Sequence, residues 1–341
     1  MTKPLETRGH DRPFAGRRAL VTGGAGFIGS HVVDGLIAGG CTDVVVVDDM
    51  ARGSRANLAR ALATGRLRLH EGDIRDKALM AELVPGADLV FHMAALRITH
   101  CAAEPARAVE VMVDATYDLF ERCAQAGVGK VVYSSSASVY GLAEIFPTPE
   151  SQGPWDNRTL YGVAKVFGEG VLRALAEQRG LDHVSLRYFN VYGPRMDVFG
   201  RYTEVMIRWM ERIEAGLPPV IFGDGAQTMD FVHVEDVARA NLLAALSPAT
   251  DVALNVGRGE ETSLLMLAHH LAAAMGRPDL APVHEAERSV NPVPRRLADT
   301  SLARRLIGFE ARIPLHEGLS GLVAWWRSTR LAESAGVRGA A

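Results

Sequence analysis

Tyr161 and Lys165 stand four residues apart in Tyr161-Gly162-Val163-Ala164-Lys165. Within a helix, that spacing puts both side chains on one face. A phenol at its ordinary pKa of about 10 is a poor base at neutral pH. A neighbouring ammonium favours the phenolate. The pair therefore suits removal of a proton from a substrate hydroxyl, with Tyr161 as base and Lys165 as its cationic support. Ser134-Ser135-Ser136-Ala137-Ser138-Val139-Tyr140-Gly141 closes a β-branched run, and Ser136 can donate a hydrogen bond to the same substrate oxygen. Tyrosine and lysine at this spacing also decorate ordinary helix faces, and serine clusters also satisfy loop backbone. The catalytic reading of Ser136, Tyr161 and Lys165 rests on their order along an alternating α/β pattern, whose ligands bind at the carboxyl ends of the strands.

A second stretch is built for an anion. Ala19-Leu20-Val21-Thr22-Gly23-Gly24-Ala25-Gly26-Phe27-Ile28-Gly29-Ser30-His31 reads as strand, glycine turn and helix start, in that order. Gly23, Gly26 and Gly29 let the chain turn tightly and let a pyrophosphate approach the N–H groups of the helix start, beside Phe27 and Ile28. Asp48 closes a second strand 19 residues beyond Gly29. A carboxylate there accepts hydrogen bonds from both ribose hydroxyls and repels a 2′-phosphate. NAD is the favoured cofactor, and Arg52 and Arg55 leave NADP open. Asp73 and Ile74 follow the third strand, placed to touch the adenine. Ala94 and Ala95 follow the fourth and are small enough for close backbone approach. Both pairs are alternatively ordinary loop and packing residues. Lys165 can also hold the nicotinamide ribose.

These residues need a scaffold of alternating strands and helices. Strands are expected at Arg18–Thr22, Asp43–Asp48, Leu67–Glu71, Leu89–Met93, Lys130–Ser135 and His183–Tyr188. Helices are expected at Gly26–Ala38, Ala78–Leu83, Pro105–Ala126 and Thr159–Arg179. Continuous apolar runs such as Val44–Val47 mark strands buried on both faces. The fold class is α/β, a Rossmann-type doubly wound parallel sheet with a smaller C-terminal α/β substrate domain. The NAD-binding domain is expected over residues 17–190, with the chain returning at about 231–248. The substrate domain is expected over 191–230, including Gly193-Pro194, Pro218-Pro219 and Gly223-Asp224-Gly225, and over 249–328, including a short strand at Ala253–Val256. Residues 1–16 and 329–341 read as flexible tails.

The composition excludes several classes. The 341 residues carry a net charge of -3, which argues against nucleic acid or an acidic membrane as partner. Three cysteines, an odd number with no CxxC pair, argue against a disulfide framework, against structural zinc or another metal, and for a reducing cytoplasm. No signal peptide and no membrane-spanning run is read.

Taken with Arg187-Tyr188-Phe189-Asn190-Val191-Tyr192-Gly193-Pro194-Arg195, Phe222–Gln227, Phe231–Val237 and Ala298-Asp299, these motifs make the chain resemble the extended short-chain dehydrogenase/reductases. The likeness is to their NAD-dependent sugar epimerase/dehydratase group and runs from about Arg17 to Trp326. It implies a redox cycle at C4 of a nucleotide sugar, with Tyr161 taking the hydroxyl proton. It adds Tyr188 to the cofactor set, and gives Arg97, Ser136, Ser138, Asn190, Arg195 and Arg288 as the substrate set, with His100 beside Arg97. Dehydratases of the group usually carry an Asp-Glu pair just after the Ser136 position, and decarboxylating members a glutamate at the Ser138 position. This chain has Ala137 and Ser138, so it looks most like the UDP-sugar 4-epimerases. It departs from the group at Met229, where an arginine usually meets a nucleotide phosphate, and around Arg288-Ser289-Val290-Asn291-Pro292, where the second such arginine is displaced by one. Arg288 or Arg295 can compensate. Relatives pair through two helices per subunit, so a homodimer through Pro105–Ala126 and Thr159–Arg179 is expected. The alternatives are a dehydratase or other NAD-dependent sugar oxidoreductase, with Glu144 or His100 supplying acid and base, and a non-catalytic NAD-binding protein.

Overall fold

The computed structural model describes residues 12–198, 205–286 and 293–338. Four consecutive valines explain its centre. Val44–Val47 are stiff at χ1 and apolar on both faces, so they make a stable strand only when both faces are covered. All four are fully buried in β2 (Asp43–Asp48). β2 pairs in parallel with β1 (Arg18–Thr22), Leu20 opposite Val45, and on its other edge with β3 (Leu67–Glu71). β1 also pairs in parallel with β4 (Leu89–His92), and β4 with β5 (Lys130–Ser136). After β6 (His183–Tyr188) come four short strands: β7 (Asn190–Tyr192), β8 (Val220–Phe222), β9 (Thr228–Met229) and β10 (Phe231–His233). β11 (Val252–Val256) then completes a seven-stranded parallel sheet in the order β11-β6-β5-β4-β1-β2-β3.

Helices fill the crossovers. They are α1 (Phe27–Ala38), α2 (Ala59–Leu62), α3 (Lys77–Leu83), α4 (Ile98–Ala103), α5 (Pro105–Val109), α6 (Ala115–Ala126) and α7 (Leu160–Arg179). From β1 the chain moves outward through β2 and β3, then returns to the other side of β1 to lay down β4, β5 and β6. The strand order reverses between β1 and β4, and their carboxyl ends leave the crevice that such sheets use for ligands.

Two compact units are built from these elements. The first contains the chain to Ser134, Phe167–Ser185 and Ala238–Val252. The second contains Ser135–Val166, Leu186–Val237 and the chain from Ala253. The second has its own small pairings: β7 with β10, β8 with β13 (Val283–Glu285), and β9 with β12 (Thr262–Ser263). It also carries α8 (Val205–Glu214), α10 (Leu264–Ala274), α11 (Ser301–Ile307) and α12 (Leu315–Arg338), while α9 (Val234–Leu246) follows β10. Buried Trp209 of α8 donates its indole N–H to the Val220 carbonyl at 2.7 Å, which ties that helix to β8.

Three details differ from the sequence reading. The strand read at Ala253–Val256 pairs at the edge of the large sheet as β11, although residues from Ala253 fall in the second unit, because strand partners are chosen by tertiary pairing. The helix expected over Pro105–Ala126 is broken by a π-helical turn at Glu110–Asp114. α12 runs to Arg338, past the boundary at 328, as expected of the helix formers Leu331, Ala332 and Glu333. Cys41, Cys101 and Cys123 are free and buried. No helix among the described residues is long and apolar enough to cross a membrane.

Candidate functional site

In the first unit the glycine turn links β1 to α1. The Gly23 N–H donates to the Val47 carbonyl at 2.7 Å, and Gly26 N–H to Gly23 carbonyl at 3.2 Å. At Gly29 a Cβ would overlap the Gly23 carbonyl oxygen and stand 2.8 Å from the Gly24 Cα, so only glycine lets the helix start so close to the strand. α1 begins at an extended Gly26 cap, with no side-chain cap and no acid in its first turn. Phe27, Ile28 and Gly29 thus offer helix-start N–H groups in an environment that favours an anion.

Asp48 is buried at the end of β2. One carboxylate oxygen accepts the Ala25 N–H at 2.9 Å and the other the Met50 N–H at 3.0 Å. Burial pushes its pKa up, and the two N–H donors oppose that. Each oxygen keeps a further lone pair, which a ribose hydroxyl can use. Beside β1, the Ala94 N–H donates to Thr22 Oγ1 at 3.3 Å. Thr22 Oγ1 shares a 2.7 Å hydrogen bond with His92 Nδ1, and His92 Nε2 a 3.1 Å one with Thr116 Oγ1. This buried relay, which sequence reading missed, ties the carboxyl ends of β1 and β4 together. Ala95 beside it is exposed. Asp73 is committed to Arg75 at 2.7 Å, and Arg75 also holds Glu110 at 2.6 Å. Burial raises the Asp73 pKa, but the Arg75 pairing outweighs it and holds the carboxyl below its usual range. Ile74 is buried next to it. Arg97 caps the start of α4 and so belongs to this unit, apart in the chain from the rest of the expected substrate set. The turn, the uncapped helix start and the Asp48 carboxylate together fit the pyrophosphate and adenosine ribose of NAD.

The second unit holds the residues suited to proton transfer. Ser136, at the end of β5, is nearly buried, and its Oγ accepts the Ser138 N–H at 3.1 Å. That leaves its O–H proton to donate. Ser138 is buried, and its carbonyl accepts Asn157 Nδ2 at 2.8 Å, while Asn157 Oδ1 accepts the Thr159 N–H at 3.1 Å. Asn157 therefore clamps the serine loop to the start of α7, and no motif signalled it. Gly162 completes the contact: a Cβ there would stand 2.6 Å from the Ser138 carbonyl oxygen and overlap Asn157 Nδ2. Lys165 is almost wholly buried, its ammonium 5.8 Å from the centre of the Tyr161 ring. The structure thus brings Ser136, Ser138, Tyr161 and Lys165 onto one loop-and-helix junction.

Beneath that junction, the Tyr140 hydroxyl donates to Asn255 Oδ1 at 2.6 Å, and Arg187 Nη1 donates to the Tyr140 hydroxyl at 3.0 Å while its guanidinium lies over the ring. Tyr188 is buried at the end of β6. Asn190 pairs its N–H with the Asp230 carbonyl at 2.9 Å, and its Oδ1 is buried without a hydrogen-bond partner among the described residues. Such an orphaned polar atom fits a site awaiting a polar ligand. Arg195 is held at φ +70°, a strained backbone for a side chain of its size. Arg288 lies outside the described residues. Asp230 is fully buried and accepts three N–H groups, from Arg258, Gly259 and Ala298 at 2.7, 2.8 and 3.2 Å. Burial nevertheless pushes its pKa up to about 6.

A sequence profile of the NAD dependent epimerase/dehydratase family matches residues 19–257. A UDP-glucose 4-epimerase of Mycolicibacterium smegmatis is 36% identical over 316 residues, 91% of this chain and 99% of that protein. The crystal structure of a UDP-glucose 4-epimerase from Thermotoga maritima, solved with UDP-glucose, superposes with a TM-score of 0.85 at 37% identity, covering 92% of this chain and 99% of the other. A dTDP-glucose 4,6-dehydratase from Streptomyces venezuelae, solved with NAD bound, gives 0.84 at 31% identity, covering 92% and 98%.

Proposed function

The chain belongs to the NAD-dependent epimerase/dehydratase family, an enzyme family whose cofactor is NAD, and from that premise we propose that it inverts C4 of a nucleotide sugar through a transient 4-keto sugar. The observation that carries this reading is the serine loop. Ala137 and Ser138 are buried where elimination of water would need an acid and a base, and Glu144 of the following loop is exposed. A reaction that only removes and returns a proton and a hydride needs no acid or base beyond the one group that takes and returns the hydroxyl proton. The 4-epimerase relatives in Mycolicibacterium smegmatis and Thermotoga maritima support the same choice, with a UDP-sugar as first candidate.

In this reading Tyr161 takes the proton of the C4 hydroxyl, Ser136 donates a hydrogen bond to that oxygen, and Lys165 stabilises the phenolate. Gly23, Gly26, Phe27, Ile28 and Gly29 hold the cofactor pyrophosphate, and Asp48 its adenosine ribose. Asp73, Ile74, Ala94, Ala95 and Tyr188 flank its remaining parts. NAD bound there would supply the acceptor for the C4 hydride and its donor to the opposite face of the 4-keto sugar. Tyr161 then returns its proton to the re-formed hydroxyl. Asn190, Arg195, Ser138, Arg97 and Arg288 bind the nucleotide sugar. A cytoplasmic homodimer is part of the proposal. Val109, Tyr117, Val163 and Phe167 are apolar or aromatic residues left exposed on α5, α6 and α7, as a second copy would require; light scattering at micromolar concentration tests it, with a monomer as the contrary result.

Proton NMR of the pure protein with UDP-, GDP-, CDP- and dTDP-sugars in heavy water tests the reaction. A C4 epimer without solvent deuterium is the expected product. A keto-deoxy sugar with deuterium at C5 would make the chain a dehydratase like its Streptomyces venezuelae relative. Tyr161→Phe should cut kcat by roughly 10²–10⁴-fold while NAD stays bound. Undiminished turnover would remove Tyr161 as the base.

A further inference from the structure

Arg296 was not among the residues that the sequence singled out. It lies in an extended segment held from both edges. On one edge the Thr228 N–H donates to the Pro294 carbonyl at 3.0 Å and the Arg296 N–H to the Thr228 carbonyl at 2.9 Å. On the other, the Thr148 N–H donates to the Leu297 carbonyl at 2.8 Å and the Asp299 N–H to the Thr148 carbonyl at 3.0 Å. Side chains alternate along such a segment, so Arg295 occupies one face, and Arg296 and Ala298 the other.

The Arg295 face is electrostatically closed. Its guanidinium binds Glu261 through two hydrogen bonds of 2.6 and 2.8 Å and lies 4.5 Å from the centre of the Phe146 ring. On the opposite face, Ala298 packs in one buried cluster with Ala137, Val139, Tyr140 and Phe189, and Val166 of α7 lies against that cluster. Ala137 directly follows Ser136, and Val166 directly follows Lys165. The Arg296 face is therefore the face of the serine loop and the start of α7. Arg296 is half-buried there, and no carboxylate pairs with it among the described residues.

Resting on the reading of Tyr161 as the base, we propose that Arg296 is a positioning residue, a second cation beside Lys165 that keeps Tyr161 ionised before the substrate arrives. Burial lowers the pKa of Arg296, and the Tyr161 charge opposes that. The coupling is reciprocal, so a guanidinium that the phenolate favours also favours the phenolate. Two cations on one phenol give a stronger bias than the lysine alone. This also explains how a site with no carboxylate near Arg296 among the described residues tolerates an arginine at its wall.

Phenolate absorbance of the NAD-loaded full chain, titrated against pH with Tyr161→Phe subtracted, tests this without any sugar. Arg296→Gln should raise the half-titration of Tyr161 by about one pH unit, and the acid limb of kcat against pH should move with it. Arg296→Lys keeps the charge and should recover more than half of that displacement. An unmoved titration in an Arg296→Gln protein that still folds and binds NAD overturns the proposal. So does a wild-type Tyr161 that titrates no earlier than an ordinary phenol. If the glutamine variant misfolds, Arg296→Met, of similar length and uncharged, decides in the same way. The reading of Tyr161 as base fails separately, through undiminished turnover by Tyr161→Phe.

Discussion

The glycine turn of the first unit is made almost wholly of backbone. Gly23 N–H meets Val47, Gly26 N–H meets Gly23, and the side chains that organise it meet backbone: Asp48 accepts the N–H groups of Ala25 and Met50, and Asn57 Nδ2 donates to the Ala25 carbonyl. The serine–tyrosine–lysine junction of the second unit is made of side chains, carried by segments at 135–141, 157–165 and 295–299 and locked by Asn157, Tyr140 and Asn255. The contrast teaches where each unit is fragile. A turn of backbone fails when a Cβ is added, whereas a junction of side chains fails when a polar partner is removed.

Among the changes that probe this contrast, the largest expected effect belongs to the turn. Gly29→Ala drives a methyl into the Gly23 carbonyl, an overpacking that costs about 3 kcal/mol, and NAD affinity should fall roughly 100-fold. Calorimetry with NAD alone measures it. Affinity within threefold of wild type would mean the turn yields, and the contrast would collapse.

Asp230 probes the second unit through pH. Its pKa of about 6 lies above the value of about 3.9 for an unfolded aspartate, so the folded state holds the proton more tightly. Stability should therefore fall as pH rises from about 4 to 6, by up to about 3 kcal/mol. Asp230→Asn cannot ionise, so its thermal midpoint should follow a different slope across that window. Parallel slopes for the two proteins would show that the three N–H donors, not burial, govern the carboxyl.

Met229→Arg installs the arginine that the family resemblance implies at this position, against a nucleotide phosphate. A charge-assisted contact contributes about 1.5–3 kcal/mol, so UDP affinity should rise tenfold or more, with NAD affinity unchanged. An unchanged UDP affinity would show that phosphate is met elsewhere in this chain. The smallest effect is expected from Asn157→Ala, which frees the serine loop from α7. Losing the bond to Ser138, about 1 kcal/mol, along with the local one from Thr159, should lower kcat roughly fivefold and leave NAD binding intact. A change in NAD affinity instead would show that the clamp serves the cofactor unit.

Legibility followed the same divide. Six strands of the large sheet were readable because Val44–Val47 and similar runs can only be buried on both faces. The glycine turn was readable because its requirements are local: no side chain at Gly29, a carboxylate at Asp48. Tyr161 and Lys165 were readable because a helix converts a spacing of four into a shared face. The strand at Ala253–Val256 was readable, but not its place at the edge of the large sheet, since so short a strand carries no label for its partner. Asn157 and the Thr22–His92–Thr116 relay left no signal, because each owes its place to groups far off in the chain.

By itself, the sequence determined the βα rhythm, the glycine turn and the shared helix face of Tyr161 and Lys165, since these depend on backbone sterics and helical period over a few residues. Only the tertiary structure decided which strands are neighbours, that Arg295 and Arg296 face opposite ways, and that Asp230 loses its solvent. Those outcomes depend on long-range pairing and burial, which no local pattern of residue types encodes.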